Sequence, residues 1–246
     1  MSTFTIERRK SKRAWVLLVF AVLLVGLNAF NGIGNYLSNR DVFESQGITW
    51  QAVWGQAGLL WAVLFLPFLI TLRAASLTRM EHEQANWRRL ASYGAHLRAY
   101  RGKLQVMAGF VLLRQAVFIA VMFVASAGLG FTLAAPDLAT MVCWGLLGFV
   151  GGMTVSVLQL LVGVLVRSFA STVAIGLVAS IGSLMVALVA PFLEALYPYA
   201  QIGVGMRVRA LQWPTIPEGL GFLGWNVVLI SLAVIVGMMV LRKKEY

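Results

Sequence analysis

Charge is scarce in this sequence: 12% of its 246 residues are Asp, Glu, Lys or Arg, while 60% are hydrophobic. A water-soluble domain carries about twice that charged fraction, so a soluble fold is excluded and the chain reads as an integral membrane protein. The single cysteine, Cys143, lies in an apolar run, where it can form no intrachain disulfide and reads as core packing. Both histidines, His82 and His96, fall in one polar stretch, and with one cysteine they cannot build a His/Cys metal site or a membrane-embedded Ser/His pair. No Asp or Glu lies firmly within an apolar run, which argues against a proton-coupled or sodium-coupled carrier. A phosphate loop is missing too: around Gly102 and Lys103, Leu97 stands where the first glycine belongs and Leu104 where Ser or Thr belongs. The sequence therefore predicts no catalytic residue, no metal and no cofactor bound by this chain, and any driving energy must come from elsewhere.

What is present is a series of apolar blocks. They predict an all-α membrane protein, a single domain over residues 1–246, with six spans at about 14–33, 55–72, 104–135, 138–166, 171–193 and 222–241. The first follows a basic run, Arg8 to Arg13, but no small-x-small cleavage site closes it, so it reads as a retained helix rather than a signal peptide. Trp50 and Trp54 mark an interface before the second span, which contains Pro67. The third is open to two readings. It either starts at Leu104 and carries Arg114 and Gln115 near mid-membrane, or starts at Ala116 with Arg114 snorkelling at its edge; a structural role for this polar pair is favoured over a substrate contact. Gly148 and Gly152 form a G-x-x-x-G in the fourth span, a helix-packing pattern that lets backbones approach closely.

The net charge of +11 is distributed as topology, not as a nucleic-acid footprint, because the basic residues flank the apolar blocks. Sixteen of the 20 lie on the side that holds Arg8 to Arg13, the stretch Arg73 to Lys103, Arg167 and Arg242 to Lys244; Arg40, Arg207 and Arg209 lie on the other. The positive-inside rule then places both termini and the 74–103 loop in the cytosol and residues 194–221 outside. That outer stretch, with Tyr197, Pro198, Tyr199, Trp213, Pro214 and Pro217, is too irregular to span and too apolar for a plain loop, so it reads as re-entrant.

The longest polar run is Ser76 to Lys103. Thr78 followed by Glu81 has the form of a capping box, and Met80, Trp87, Leu90, Gly94 and Leu97 recur at helical spacing, which predicts an amphipathic helix over about 79–101. It either lies in lipid headgroups or presents Trp87 and Leu90 to a cytosolic partner, with Glu83 four residues before Trp87 on the same side. The series Glu81/Glu83, Trp87-Arg88-x-Leu90, Ser92 and Tyr100-x-x-Lys103-Leu104 resembles the intracellular loop of ABC-2-type permeases, particularly the six-span subunits of lantibiotic immunity (bacteriocin resistance) transporters. Ala85 and Asn86 stand where that family usually has a glycine before the tryptophan. The resemblance implies a coupling helix, with Glu81, Glu83, Trp87, Arg88 and Leu90 seated in a separate cytosolic ABC ATPase subunit that carries the ATP and Mg. It also implies a second permease subunit, identical or related, an external re-entrant segment after the fifth span, and a membrane-active peptide as substrate. The competing expectations are a membrane scaffold that anchors a cytosolic partner through the same helix, and a passive channel.

Overall fold

The computed structural model describes Thr5, Glu7 and residues 14–83 and 86–243. Helix α1 (Ala14–Ser38) and a short α2 (Arg40–Ser45) lead into α3 (Trp50–Leu60), which continues through a π turn (Trp61–Phe65) into α4 (Leu66–His82). The π turn has a cause in sequence. Pro67 has no N–H to give the carbonyl of Val63 and its ring crowds that carbonyl, so the helix widens over the preceding turn. A short α5 (Asn86–Ser92) follows, then α6 (His96–Gly128), α7 (Ala135–Leu165), α8 (Phe169–Val189), a one-turn α9 (Gln201–Gly205) and α10 (Ile216–Lys243).

Six of these helical runs are long and apolar enough to cross a membrane, with α3 and α4 counting as one. That run and α6 each have 33 residues, about 50 Å of helix against a hydrocarbon core of about 30 Å, so both project well beyond it. Helix α7 is the hub and packs on α4, α6, α9 and α10. The α3–α4 run and α7 are mostly buried, whereas α1, α8 and α10 turn broad apolar faces outward.

Several boundaries differ from the sequence expectation. The second span runs on to His82, because its polar residues turn inward: the Thr78 hydroxyl donates to the Ala74 carbonyl at 3.0 Å and sits against Gly163, where a side chain would collide with it. Thr78 therefore lies inside a helix, and the expected Thr78/Glu81 capping box does not form. The amphipathic helix expected over 79–101 is broken twice. The backbone turns extended at Glu83 (ψ 138°), and Gly94 (φ 60°) closes α5 in a Schellman motif, with Gly94 N–H bonding to Ala91 O at 2.9 Å and Ala95 N–H to Leu90 O at 2.8 Å. Glu83 is thereby taken off the helical side of Trp87. The third span starts at His96, upstream of both alternatives, and ends at Gly128 in a turn through Gly130 (φ 80°). Trp50 and Trp54 are buried rather than facing an interface: they pack with Trp144 and Phe118 at centroid distances of 5.0–6.1 Å. Trp50 Nε1 donates to Asp137 and Trp54 Nε1 to the Met206 carbonyl, both at 2.9 Å. Helix α10 begins at Ile216, because Thr215 and Glu218 form a capping box, with Thr215 N–H to Glu218 Oε2 at 3.1 Å and Glu218 N–H to Thr215 Oγ1 at 3.4 Å.

Between α8 and α10 the chain folds into a hairpin that enters the bundle. Its α9 lies between the π turn and α7, and the residues after it reach α3; Gly55 and Gly58 admit Val208, and Gly148 and Gly151 admit Met206 and Gln201, while a Cβ at Gly205 would stand 2.5 Å from the Leu147 carbonyl. A buried polar ladder fixes it. Asn226 Nδ2 donates to Gln201 Oε1 at 2.9 Å, Thr154 Oγ1 donates to Asn226 Oδ1 at 2.5 Å, and Tyr199 Oη donates to Gln159 Oε1. Arg207 closes α9 at φ 54°, a left-handed position where glycine is usual and any other residue costs about 1–2 kcal/mol.

Candidate functional site

The described residues gather their buried charge at one end of the bundle, where α4, α5, α6 and the N-terminal segment meet. Lys103 is a cation on the inward stripe Ala99, Lys103, Val106, Phe110 and Arg114 of α6, all of them buried. An ammonium cannot stay there unpaired. Its Nζ donates to Glu7 Oε2 at 2.5 Å and to Glu81 Oε1 at 2.9 Å, and the three residues are no more than 1% exposed. Arg73, one level deeper on α4, lies in the field of Glu7, so two cations and two carboxylates balance.

Helix α5 closes over this cluster. Trp87, 2% exposed, places its ring 6.0 Å from the Lys103 ammonium and meets His82 edge-on at 6.4 Å. His82 Nε2 in turn donates to the Gly163 carbonyl of α7 at 2.8 Å. The side of α5 away from the bundle carries exposed Arg88 and Arg89 and, one residue past the helix, Tyr93 at 78% exposure, while half-buried Leu90 packs partly against the bundle.

The five residues expected to touch a partner are therefore not one surface. Glu81 is an internal counterion and Trp87 an internal anchor, since an acid and an indole on the inward side of α4 and α5 gain more from Lys103 than from solvent. Glu83 is exposed and occupied with Arg79 at 2.6 Å, four residues back on α4. Only Arg88 and part of Leu90 face outward. The sequence reading missed Glu7 and Lys103 as a pair. A lysine on an apolar helical stripe was the available signal, because it demands an acid from another element.

Arg114 and Gln115 lie mid-way along α6, 3% and 1% exposed. The Arg114 guanidinium stacks on the Phe110 ring at 3.6 Å and Nη1 donates to the Phe110 carbonyl at 3.2 Å, while Nε and both polar atoms of Gln115 have no hydrogen-bond partner among the described residues. Arg73 faces Arg114 as a like charge. One modest hydrogen bond and the Phe110 stack hold the guanidinium against the like charge of Arg73. Arg114→Leu is expected to keep or raise the unfolding temperature in detergent, by the equivalent of about 1 kcal/mol, since an apolar side chain of similar size often equals or improves on a poorly compensated buried charge. A lowered midpoint would assign Arg114 to holding the bundle.

Gly148 and Gly152 pack within this chain: a Cβ at Gly148 would stand 2.5 Å from Gln115 Nε2 and one at Gly152 2.5 Å from Val111 Cγ1. They seat α6 and the hairpin on α7. On the hairpin's outer side Arg209 approaches Glu194 at 3.7 Å, and partial burial raises the Glu194 carboxyl above its usual range, against the pull of that arginine.

The profile of a family described as ABC-2 family transporter protein matches residues 3–183. The chain belongs to that family. The matched stretch takes in the buried ion cluster, α5, the first four spans and most of the fifth; the hairpin and α10 lie beyond it. This ABC-2 protein is a multi-pass membrane protein and the membrane permease component of a transporter; such permeases generally pair with an ABC ATPase and are typically non-catalytic themselves. No curated protein and no solved structure matches it.

Proposed function

We propose that this permease is driven by a separate cytosolic ATPase, which holds ATP and Mg and docks on the outer side of α5, and that with a second permease subunit it expels a membrane-active cationic peptide, as in lantibiotic self-immunity. The observation that carries the docking is the construction of α5: a short helix with Arg88 and Arg89 turned out, Leu90 at the edge and Trp87 turned in, onto a charge cluster joining three elements. A push on such a helix is delivered directly to α4, α6 and the N-terminal segment. Both termini and α5 are taken to be cytosolic and the hairpin at 194–221 external and re-entrant, on the sixteen-to-three asymmetry of basic residues.

Reporters inserted near Ala91 and near Gln212 test the orientation: the first is expected to register as cytosolic and the second as external, and an external Ala91 would overturn the scheme. Reconstitution with the ATPase tests the activity. A fluorescent cationic peptide held in the vesicle membrane is expected to leave it only when ATP is supplied, whereas a scaffold predicts no ATP-dependent loss and a passive channel predicts loss without ATP.

A further inference from the structure

The hairpin and α10 border, with α7, a cavity of about 600 Å³ that the ladder of buried polar contacts touches only at Gln201. Its walls are apolar, formed by Leu147 of α7, Leu196 and Val204 of the hairpin and Phe222 and Val228 of α10, and its mouth carries Arg207 and Glu218. From Glu218 to Val228 the wall runs ten residues of helix, about 15 Å, which is half the hydrocarbon thickness or one leaflet.

Two features set the cavity apart from a packing gap. Gly219, Gly221 and Gly224 line it, and a Cβ built on any of the three meets nothing within 4 Å. Glycine weakens a helix relative to alanine, and here no neighbouring helix of the chain uses the space it leaves. The second feature is Arg207, which occupies a left-handed backbone position suited to glycine while its guanidinium lies at the mouth, Nε donating to the Gln212 carbonyl at 2.8 Å and Nη1 3.5 Å from Glu218 Oε2. Strain of this kind is retained where a side chain is needed in that place.

We infer that this groove binds one zwitterionic glycerophospholipid, an acyl chain lying along the glycines of α10, its phosphate on Arg207 and its ammonium on Glu218. Charge complementarity selects this occupant. Cation and anion stand side by side at the rim of an apolar slot one leaflet deep, matching a headgroup that carries both signs above a hydrocarbon tail. A helix from a second copy would instead cover an ion pair whose carboxylate is half exposed, and burying such a pair returns little against its desolvation.

The test uses the full-length permease alone, reconstituted in nanodiscs of equimolar phosphatidylethanolamine and phosphatidylglycerol, re-extracted in mild detergent and weighed by native mass spectrometry. One phosphatidylethanolamine per chain is expected to be retained over phosphatidylglycerol by about tenfold. Gly224→Leu and, independently, Gly221→Leu put a side chain into the groove from positions whose Cβ meets nothing within 4 Å, and are expected to remove the bound lipid while leaving the unfolding temperature unchanged. Arg207→Gly, placed where the backbone favours glycine, and Glu218→Gln, which keeps the cap, are each expected to bring the headgroup preference to about one. Equal retention of both lipids by the unaltered chain, or undiminished retention by whichever filled variants fold, overturns the proposal. So does loss of self-association in place of lipid, which would give the groove to a second copy. Since no ATPase is present, failure here leaves the docking of α5 untouched.

Discussion

Lys103→Met is expected to destabilise the protein by about 3–5 kcal/mol, because it removes the ammonium on which two buried carboxylates close. Glu7 and Glu81 both close on the one ammonium at 2.5 and 2.9 Å, and each is 1% exposed. Methionine fills much of the same volume, so the effect isolates charge from packing. The thermal midpoint of the detergent-solubilised chain, together with the fraction that stays monodisperse, measures it. A second change separates pairing from any other role of the lysine. Adding Glu81→Gln to Lys103→Met neutralises one of the two buried carboxylates and should restore part of the loss, and adding Glu7→Gln as well should restore more; coupling of this size is the mark of residues in one network. If Lys103→Met unfolds within about 0.5 kcal/mol of the parent chain, in the range of a surface substitution, the cluster carries no structural weight.

That cluster also shows which parts of the architecture were legible in the sequence. Six apolar blocks were plain, since a run of about 20 apolar residues has few fates other than a span, and a chain 12% charged had no soluble alternative. Helix ends were harder. The polar residues from Ser76 to His82 read as loop because polarity normally means water, yet Thr78 and Glu81 turn inward to a helix carbonyl, to the space at Gly163 and to Lys103. Whether a polar side chain meets water or a partner is decided by elements distant in sequence: Glu7 stands 96 residues from Lys103, and no local spacing links them. Trp87 illustrates the same limit. Its spacing from Leu90 was visible, but the break at Glu83 and the left-handed Gly94 rotate α5 so that the indole faces in and the arginines face out. In the hairpin, prolines and aromatics announced irregular backbone, while its depth depends on glycines of α3 and α7 that matter only once the hairpin is set against them.

Trp87→Ala is expected to abolish coupling to the ATPase by a different route from changes on the outer side of α5, and the difference tests the docking assignment. Truncating a fully buried tryptophan costs about 3–5 kcal/mol, more than a seven-residue helix with a single buried side chain can hold, so α5 should come loose while the spans around it stay formed. Hydrogen exchange would then show lost protection confined to residues 86–95, along with loss of ATPase stimulation. Arg88→Ala removes an exposed side chain that makes no tie to the bundle among the described residues, and should leave both protection and membrane insertion unchanged. If α5 is the docking element, Arg88→Ala combined with Leu90→Ala should still lower co-purification of the ATPase about tenfold or more, as expected for an arginine and an apolar anchor at the centre of an interface. A headgroup anchor predicts the opposite pattern, with altered membrane expression and unaffected coupling. ATPase retained in full by both the Trp87→Ala variant and the Arg88→Ala, Leu90→Ala double variant would refute docking through α5 and leave the helix as a cover over the Lys103 cluster.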